Sequence, residues 1–373
     1  MEVLEGASTL EQSILRQARL ARLPANGSIE ITPLCNMNCD MCYVRLSRAE
    51  MEAQGVLKRG EDWLRLGREM KAAGVLFLLI TGGEPLVHPD FKEIYLGLRE
   101  LGMILTVNTN GTLIDQGWAD FFGQYPPRRI NITLYGADEE TYGRLCHYPG
   151  GFHRTLEAVR LLKQQGVEVK LGCSLTKTNR DSWDKILRLG EELNVPVRQD
   201  TYMCPATRER SLPFQDQVRL DPEDAARLRA KLLRAEMGDQ VFQQAAALHL
   251  QKAGQGPREP GNRRMRCMAG SCSFAINWQG RMRPCVIATE PWEDAFALGF
   301  SAAWTRIVAA TEQILSGSVC AHCRLREVCI TCPLYALYEC GSYEGIPEYI
   351  CRYTRETLRA LREEAGLPEP PAP

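Results

Sequence analysis

From Ser28 to about Tyr202 the chain alternates between two hydrophobic rhythms. Short runs rich in β-branched residues, "SIEITP", "VLFLLIT", "MILTVNT", "RINITLYG", "VEVKLGCSL" and "PVRQDTY", read as strands. The segments between them, among them "EDWLRLGREMKAAG", "HPDFKEIYLGLRELG" and "GGFHRTLEAVRLLKQQG", carry apolar residues at helical spacing. Gly74, Gly102 and Gly166 stand where three of these helices should stop. Six strand–helix units imply a parallel sheet, and right-handed crossovers curl it toward a barrel two units short of the full eight. The expected fold class is therefore α/β, a partial (β/α)6 TIM-like barrel open at one side, with a flat doubly wound sheet as the alternative. In either architecture ligands gather at the C-terminal ends of the strands.

The flanks divide the rest. Residues 1–27, with "LEQSILRQARLARLP", predict an N-terminal amphipathic helix, and residues 28–215 hold the barrel. A helical linker fills 216–265; "LDPED" opens its helical stretch, with Asp221 as cap and Pro222 in the first turn. The Gly-, Pro- and charge-rich "QKAGQGPREPGNRRMR" closes it. Residues 266–355 form a small cysteine-rich module, and 356–373, ending in "EEAGLPEPPAP", are expected to be disordered.

Charge narrows the partners. The 45 Lys and Arg balance 46 Asp and Glu and are scattered, leaving no electrostatic footprint for nucleic acid. The longest apolar run, "GVLFLLI", is too short to span a bilayer. The N-terminus lacks the basic start and apolar centre of a secretory signal, so the cytoplasm is the expected compartment and no membrane partner is expected. In a reducing compartment the 15 cysteines point to metal rather than disulfides. Nine of them fall between Cys267 and Cys351, and three more lie in "CNMNCDMC". Cys146, Cys173 and Cys204 stand apart and read as small buried hydrophobes. The five His show no H-E-x-x-H spacing; His322, inside "CAHC", is the one candidate neighbour of a cluster.

Cys35, Cys39 and Cys42 directly follow the first strand. Zinc closes a tetrahedron and asks for a fourth Cys or His nearby, and none occurs before His88. Three thiolates suit an iron–sulfur cluster that keeps one iron open to a small chelating molecule. In "LLITGGEPLVHPD", at the end of the second strand, Gly82 and Gly83 allow close approach of the backbone to a ligand, and Glu84 offers a carboxylate to an ammonium. Taken alone, "GGEP" reads equally well as a plain turn.

The spacing C-x3-C-x2-C after a first barrel strand resembles the hallmark of the radical S-adenosylmethionine (radical SAM) superfamily, with Met41 where an aromatic residue often stands. The resemblance implies a 4Fe-4S cluster on Cys35, Cys39 and Cys42 whose fourth iron binds S-adenosyl-L-methionine. One-electron cleavage of that cofactor then yields a 5'-deoxyadenosyl radical that abstracts hydrogen from substrate. The family's Gly-Gly-Glu-Pro motif falls on Gly82, Gly83 and Glu84. By the same resemblance Thr109, Asn110, Thr133, Tyr135, Ser174 and Asn179, at later strand ends, are candidate contacts of the cofactor or substrate; Asn110-Gly111 also reads as a simple turn.

The sequences "CMAGSCSFAINWQGRMRPC" and "CAHCRLREVCITC" resemble the SPASM domain, an extension of peptide-modifying radical enzymes that holds two auxiliary iron–sulfur clusters. The first half of its pattern falls on Cys267, Gly280 and Cys285, and the second on Cys320, Cys323 and Cys329; Cys332 follows two residues on, where the pattern has three. The implied ligation places Cys267, Cys272, Cys285 and Cys332 on the first auxiliary cluster and Cys320, Cys323, Cys329 and Cys351 on the second. Relatives lacking a residue like Cys272 leave one iron open, and Cys340 is a spare or exchange candidate. Two zinc sites remain the alternative for this region.

The expected function is thus a radical SAM oxidoreductase that modifies a ribosomally made peptide, by cross-linking or another oxidation. Its expected partners are a peptide or protein substrate and an external one-electron donor such as flavodoxin or ferredoxin. With about 28 residues ahead of the barrel, a separate leader-binding protein is a further expected partner. The alternatives are an anaerobic sulfatase-maturing type of enzyme or a small-molecule enzyme acting on a tetrapyrrole. From another class comes an electron-transfer or metal-binding protein.

Overall fold

A computed structural model describes residues 9–205, 208–210 and 218–368. Six parallel strands, β1 (Asn26–Glu30), β2 (Phe77–Thr81), β3 (Ile104–Thr109), β4 (Arg129–Thr133), β5 (Val169–Ser174) and β6 (Val197–Asp200), lie side by side in chain order. A doubly wound sheet reverses its strand order at a switch point. Here the order runs from β1 to β6 without reversal, so right-handed crossovers place the connecting helices on one face. The sheet curls under them into a partial barrel that does not close. Ile29, Ile80, Val107, Ile132 and Leu171, from five successive strands, are fully buried in the resulting core together with Trp63, Leu66 and Ile94 from the helices.

The cysteine-rich region is joined to the same sheet. β7 (Ser273–Ile276) pairs in parallel with the free edge of β1, and β8 (Arg281–Arg283) and β9 (Glu293–Asp294) extend the sheet antiparallel. What the sequence presents as a separate module thus grows from the barrel's first strand.

The helices Pro222–Met237 and Asp239–Gln255 occupy the expected linker. Pro222 opens the first of them, but the Asp221 side chain makes no capping bond and lies 3.6 Å from Lys177 instead. The disordered tail expected from 356 gives way to a helix, Glu348–Glu364. Its stripe of Ile350, Tyr353 and Leu361 is buried, and Ala360, Leu361 and Ala365 pack on Ala230, Phe242 and Ala246, an apolar pattern that the Pro-rich ending obscures. Residues 1–8 of the expected N-terminal helix, the boundary near 215, and residues 369–373 lie outside the described residues. Among the described residues no helix is long and apolar enough to cross a membrane.

Candidate active site and cluster ligands

Beyond the C-terminal end of β1 the chain stays zipped to the end of β2. The Gly83 N–H donates to the Thr32 carbonyl at 2.8 Å, and the Glu84 N–H donates to the Leu34 carbonyl at 2.9 Å. A Cβ on Gly83 would stand 2.4 Å from the Leu34 carbonyl oxygen, and one on Gly82 2.3 Å from that of Thr32. The close approach read from "GGEP" is therefore, first, an approach of two backbone segments, which locks the Glu84 loop to the loop that carries Cys35.

Glu84 is fully buried. Its carboxylate accepts hydrogen bonds from the Asn110 N–H (2.7 Å), the Thr109 hydroxyl (2.8 Å) and the Leu86 N–H (3.1 Å). Burial pushes its pKa up to about 7 against these three donors. A buried carboxylate held by neutral donors is built to receive a cation. Thr109 and Asn110 thus meet Glu84 as expected of strand-end residues, and the Asn110 side chain continues to Asn36 (2.8 Å) and to the Cys35 sulfur (3.8 Å).

The three thiols of the loop are half-buried. The Met37 N–H donates to Cys35 Sγ at 3.4 Å and the Arg45 N–H to Cys42 Sγ at 3.2 Å, bonds that favour thiolates. Burial outweighs them: it pushes the Cys35 thiol up to about 12 and raises Cys42, while a bond with the Cys146 thiol and then burial raise Cys39. Thiolates crowded in an apolar wall require positive charge between them. No three His, Cys, Asp or Glu side chains among the described residues converge around a single metal ion. Three thiols on one loop, two of them accepting backbone N–H bonds, are the donor chemistry of a multi-iron cluster that binds each thiolate to a different iron.

The other strand ends contribute less directly. Thr133 and Ser174 close β4 and β5 and are partly exposed; the Ser174 carbonyl accepts from the Asn179 side chain at 3.2 Å. Asn179 also donates to the Tyr135 carbonyl at 3.0 Å, and the Tyr135 phenol is raised by burial and by Cys39 and Cys146 nearby. Sequence reasoning missed three groups. Asn36 bonds Thr112 at 2.8 Å, and Arg210 donates to the Cys39 carbonyl at 3.0 Å and to Asn38 at 2.9 Å. Cys146, taken as a plain core residue, is buried and also meets Cys39; its distance of over a hundred residues from that loop hid it.

In the C-terminal region Cys320, Cys323, Cys329 and Cys351 act on one another electrostatically, so the structure gathers this foursome. The Thr354 hydroxyl donates to Cys329 Sγ at 3.5 Å. Cys332 is opposed in the same way by Cys267 and Cys285. Cys272, pushed up to about 11 by burial, has Cys267 as its thiol neighbour. Cys340 is exposed, its thiol 3.0 Å from the Ala336 carbonyl of its own helix. His322 likewise bonds within its own turn, to the Ser318 carbonyl at 2.9 Å. Tyr43, beside Cys42, feels both Cys42 and Cys285, so the two thiol regions approach each other there.

The chain resembles several known proteins. An AdoMet-dependent heme synthase of Methanosarcina barkeri is 25% identical over 179 residues, 48% of this chain and 50% of that protein. A PqqA peptide cyclase of Granulibacter bethesdensis is 27% identical over 164 residues, 44% of this chain and 43% of that protein. The chain thus spans about half the length of these two relatives. An AdoMet-dependent heme synthase of Oleidesulfovibrio alaskensis is 24% identical over 357 residues, covering 87% and 86%. Among solved structures, Streptococcus suis SuiB bound to S-adenosylmethionine superposes with a TM-score of 0.67 at 18% identity over 92% of this chain and 83% of that one. The protein anSMEcpe with bound AdoMet gives 0.68 at 17% identity over 91% and 99%. These likenesses establish the shared fold. With residues 29–190 matching the Radical SAM superfamily, the chain carries a radical SAM domain.

Proposed function

We propose that this protein is a radical SAM enzyme that oxidatively modifies a peptide. Cys35, Cys39 and Cys42 would hold the catalytic 4Fe-4S cluster, and Glu84, positioned by Thr109 and Asn110, would receive the ammonium of S-adenosylmethionine. When bound, the cluster and cofactor supply a one-electron reductive cleavage and a carbon radical that removes hydrogen from substrate. The observation that carries the peptide reading is the second thiol region. Cys320, Cys323, Cys329 and Cys351 stand together, and Cys332 meets Cys267 and Cys285, in a region that β7 joins to the barrel's first strand. Such sets suit clusters that pass on the electron released when a substrate radical is oxidised. Structures with the same fold include SuiB bound to its precursor peptide and anSMEcpe bound to peptides.

A tetrapyrrole is the second candidate substrate, favoured by the likeness to the Oleidesulfovibrio heme synthase along 87% of the chain. The test is anaerobic reconstitution with iron and sulfide, followed by a 5'-deoxyadenosine assay on the native chain and Cys39→Ala. The native chain should bind about twelve irons and cleave the cofactor, and the variant should not cleave it. Adding short peptides encoded beside the gene should yield a peptide lighter by a pair of hydrogens. Turnover with tetrapyrroles and none with peptides moves the assignment to the second substrate, and bound zinc removes the auxiliary-cluster reading.

A further inference from the structure

The region after β6 brings one more cysteine to the auxiliary thiols. Two residues before Cys204, the Tyr202 ring meets that of Tyr335 edge-on at 5.0 Å, and its hydroxyl donates to Glu339 at 2.8 Å. Both partners lie on the helix Pro333–Cys340, whose N-terminal cap is Cys332. Four residues after Cys204, Arg208 donates to the carbonyl of Val286, the neighbour of Cys285. The chain on either side of Cys204 is therefore pinned beside Cys332 and beside Cys285.

Cys272 stands elsewhere. Its carbonyl accepts from the N–H of Asn26, the first residue of β1, and its side chain packs with Leu15, Ala18, Ala25 and Phe77. Arg208, by contrast, pairs with Glu30, the last residue of β1, at 2.6 Å. Cys272 thus packs at the start of β1, whereas the Val286 carbonyl next to Cys285 is tied through the Arg208 side chain to Glu30 at its end. Cys267 reaches toward both ends, since it acts on Cys272 and on Cys332.

We infer that Cys204, not Cys272, completes the first auxiliary cluster with Cys267, Cys285 and Cys332. This rests on the reading of the C-terminal thiols as iron–sulfur ligands. The ligand comes from the barrel's own last strand end, so the cluster fastens the barrel mouth to the C-terminal region. Cys272 is a small apolar residue of the opposite end.

The experiment uses the full chain with Cys35, Cys39 and Cys42 all changed to Ala, which leaves the auxiliary clusters, about eight irons, as the only iron signal. In that background Cys204→Ala should either lose about four irons or keep them with an altered EPR spectrum in the reduced state that responds to added cyanide, the mark of an open iron. Cys272→Ala should keep both the iron count and the spectrum. An unchanged spectrum in Cys204→Ala, or an equal loss in Cys272→Ala, overturns the assignment. If the background protein binds no iron, the cluster reading itself fails and the assignment falls with it. Should Cys204→Ala aggregate, thiol alkylation of the native chain decides. Cys204 should be labelled after iron removal and protected before it, and equal labelling in both states overturns the proposal.

Discussion

The Asn110 N–H donates to the Glu84 carboxylate at 2.7 Å, while the Asn110 side chain stands 3.8 Å from the Cys35 sulfur. One residue at the end of β3 thus holds the buried anion and touches the loop of three thiols. The carboxylate and the thiols are fixed relative to each other before any cofactor arrives, the preorganisation that orienting a chelating amino acid requires.

Glu84→Gln keeps the shape of this arrangement and removes its charge. A charge-assisted bond to an ammonium is worth about 1.5–3 kcal/mol, so S-adenosylmethionine affinity should fall about tenfold to a hundredfold. Iron content should be unchanged. Equilibrium dialysis on the reconstituted protein reads the loss, and full affinity in the variant would remove Glu84 from the cofactor site.

The same carboxylate makes apoprotein stability depend on pH. Its pKa is near 7 in the fold, against an ordinary value of 4.5, because of burial. Below both values it is protonated in either state and costs nothing. As pH rises from about 4 to 7 the unfolded chain releases the proton before the folded one does, so stability falls, by about 3 kcal/mol in all. Urea midpoints of the apoprotein against Glu84→Gln should converge at pH 4 and separate by pH 7.5, with the variant the more stable. Parallel profiles would show that Glu84 is already paired.

What was legible in the sequence was what local spacing encodes. The alternating rhythms of "RINITLYG" and "VEVKLGCSL" gave β4 and β5, and C-x3-C-x2-C marked the thiol loop. Long-range pairing left no such trace. That β7 would join the free edge of β1, or that Cys146 would meet Cys39, depends on segments a hundred residues or more apart. The last helix was hidden for another reason: its apolar stripe of Ile350, Tyr353 and Leu361 is thin and set among charges, so it reads as polar until its partner helices are in place.

The seam between β1 and β2 should tolerate no side chain at Gly83. A methyl group there would stand 2.4 Å and 2.7 Å from the carbonyl oxygens of Leu34 and Pro33, and backbone at a ladder end cannot swing aside as a side-chain tip can. Gly83→Ala should cost about 1–3 kcal/mol and lower iron uptake at the first cluster. Gly172→Ala, in β5 with nothing within 4 Å of its added methyl group, is the control and should leave both unchanged. Urea unfolding and iron counts on the pair separate local crowding from a general intolerance of the barrel.

The joint between the barrel and the final helices should depend on one buried ion pair. Arg219 and Glu339 are bonded side by side with side-chain exposures of 8% and 5%, and Tyr202 donates to the same carboxylate. The guanidinium lies 3.4 Å from the centre of the Tyr349 ring, whose hydroxyl in turn donates to the Leu220 carbonyl at 2.6 Å. Glu339→Gln leaves the cation enclosed without its counter-charge, and removing one partner of such a pair typically costs about 3–5 kcal/mol. Replacing both, as Arg219→Met with Glu339→Leu, removes the desolvated charges together and should recover most of that loss, so the two changes should be strongly non-additive. Because the pair is shielded from solvent, about 1 M salt should leave the cost of Glu339→Gln nearly unchanged, unlike that of a surface pair. Urea midpoints of the two singles and the double, at low and high salt, supply the cycle; additive losses that shrink with salt would mean that this pair is solvated and that the joint is held by its tyrosines instead.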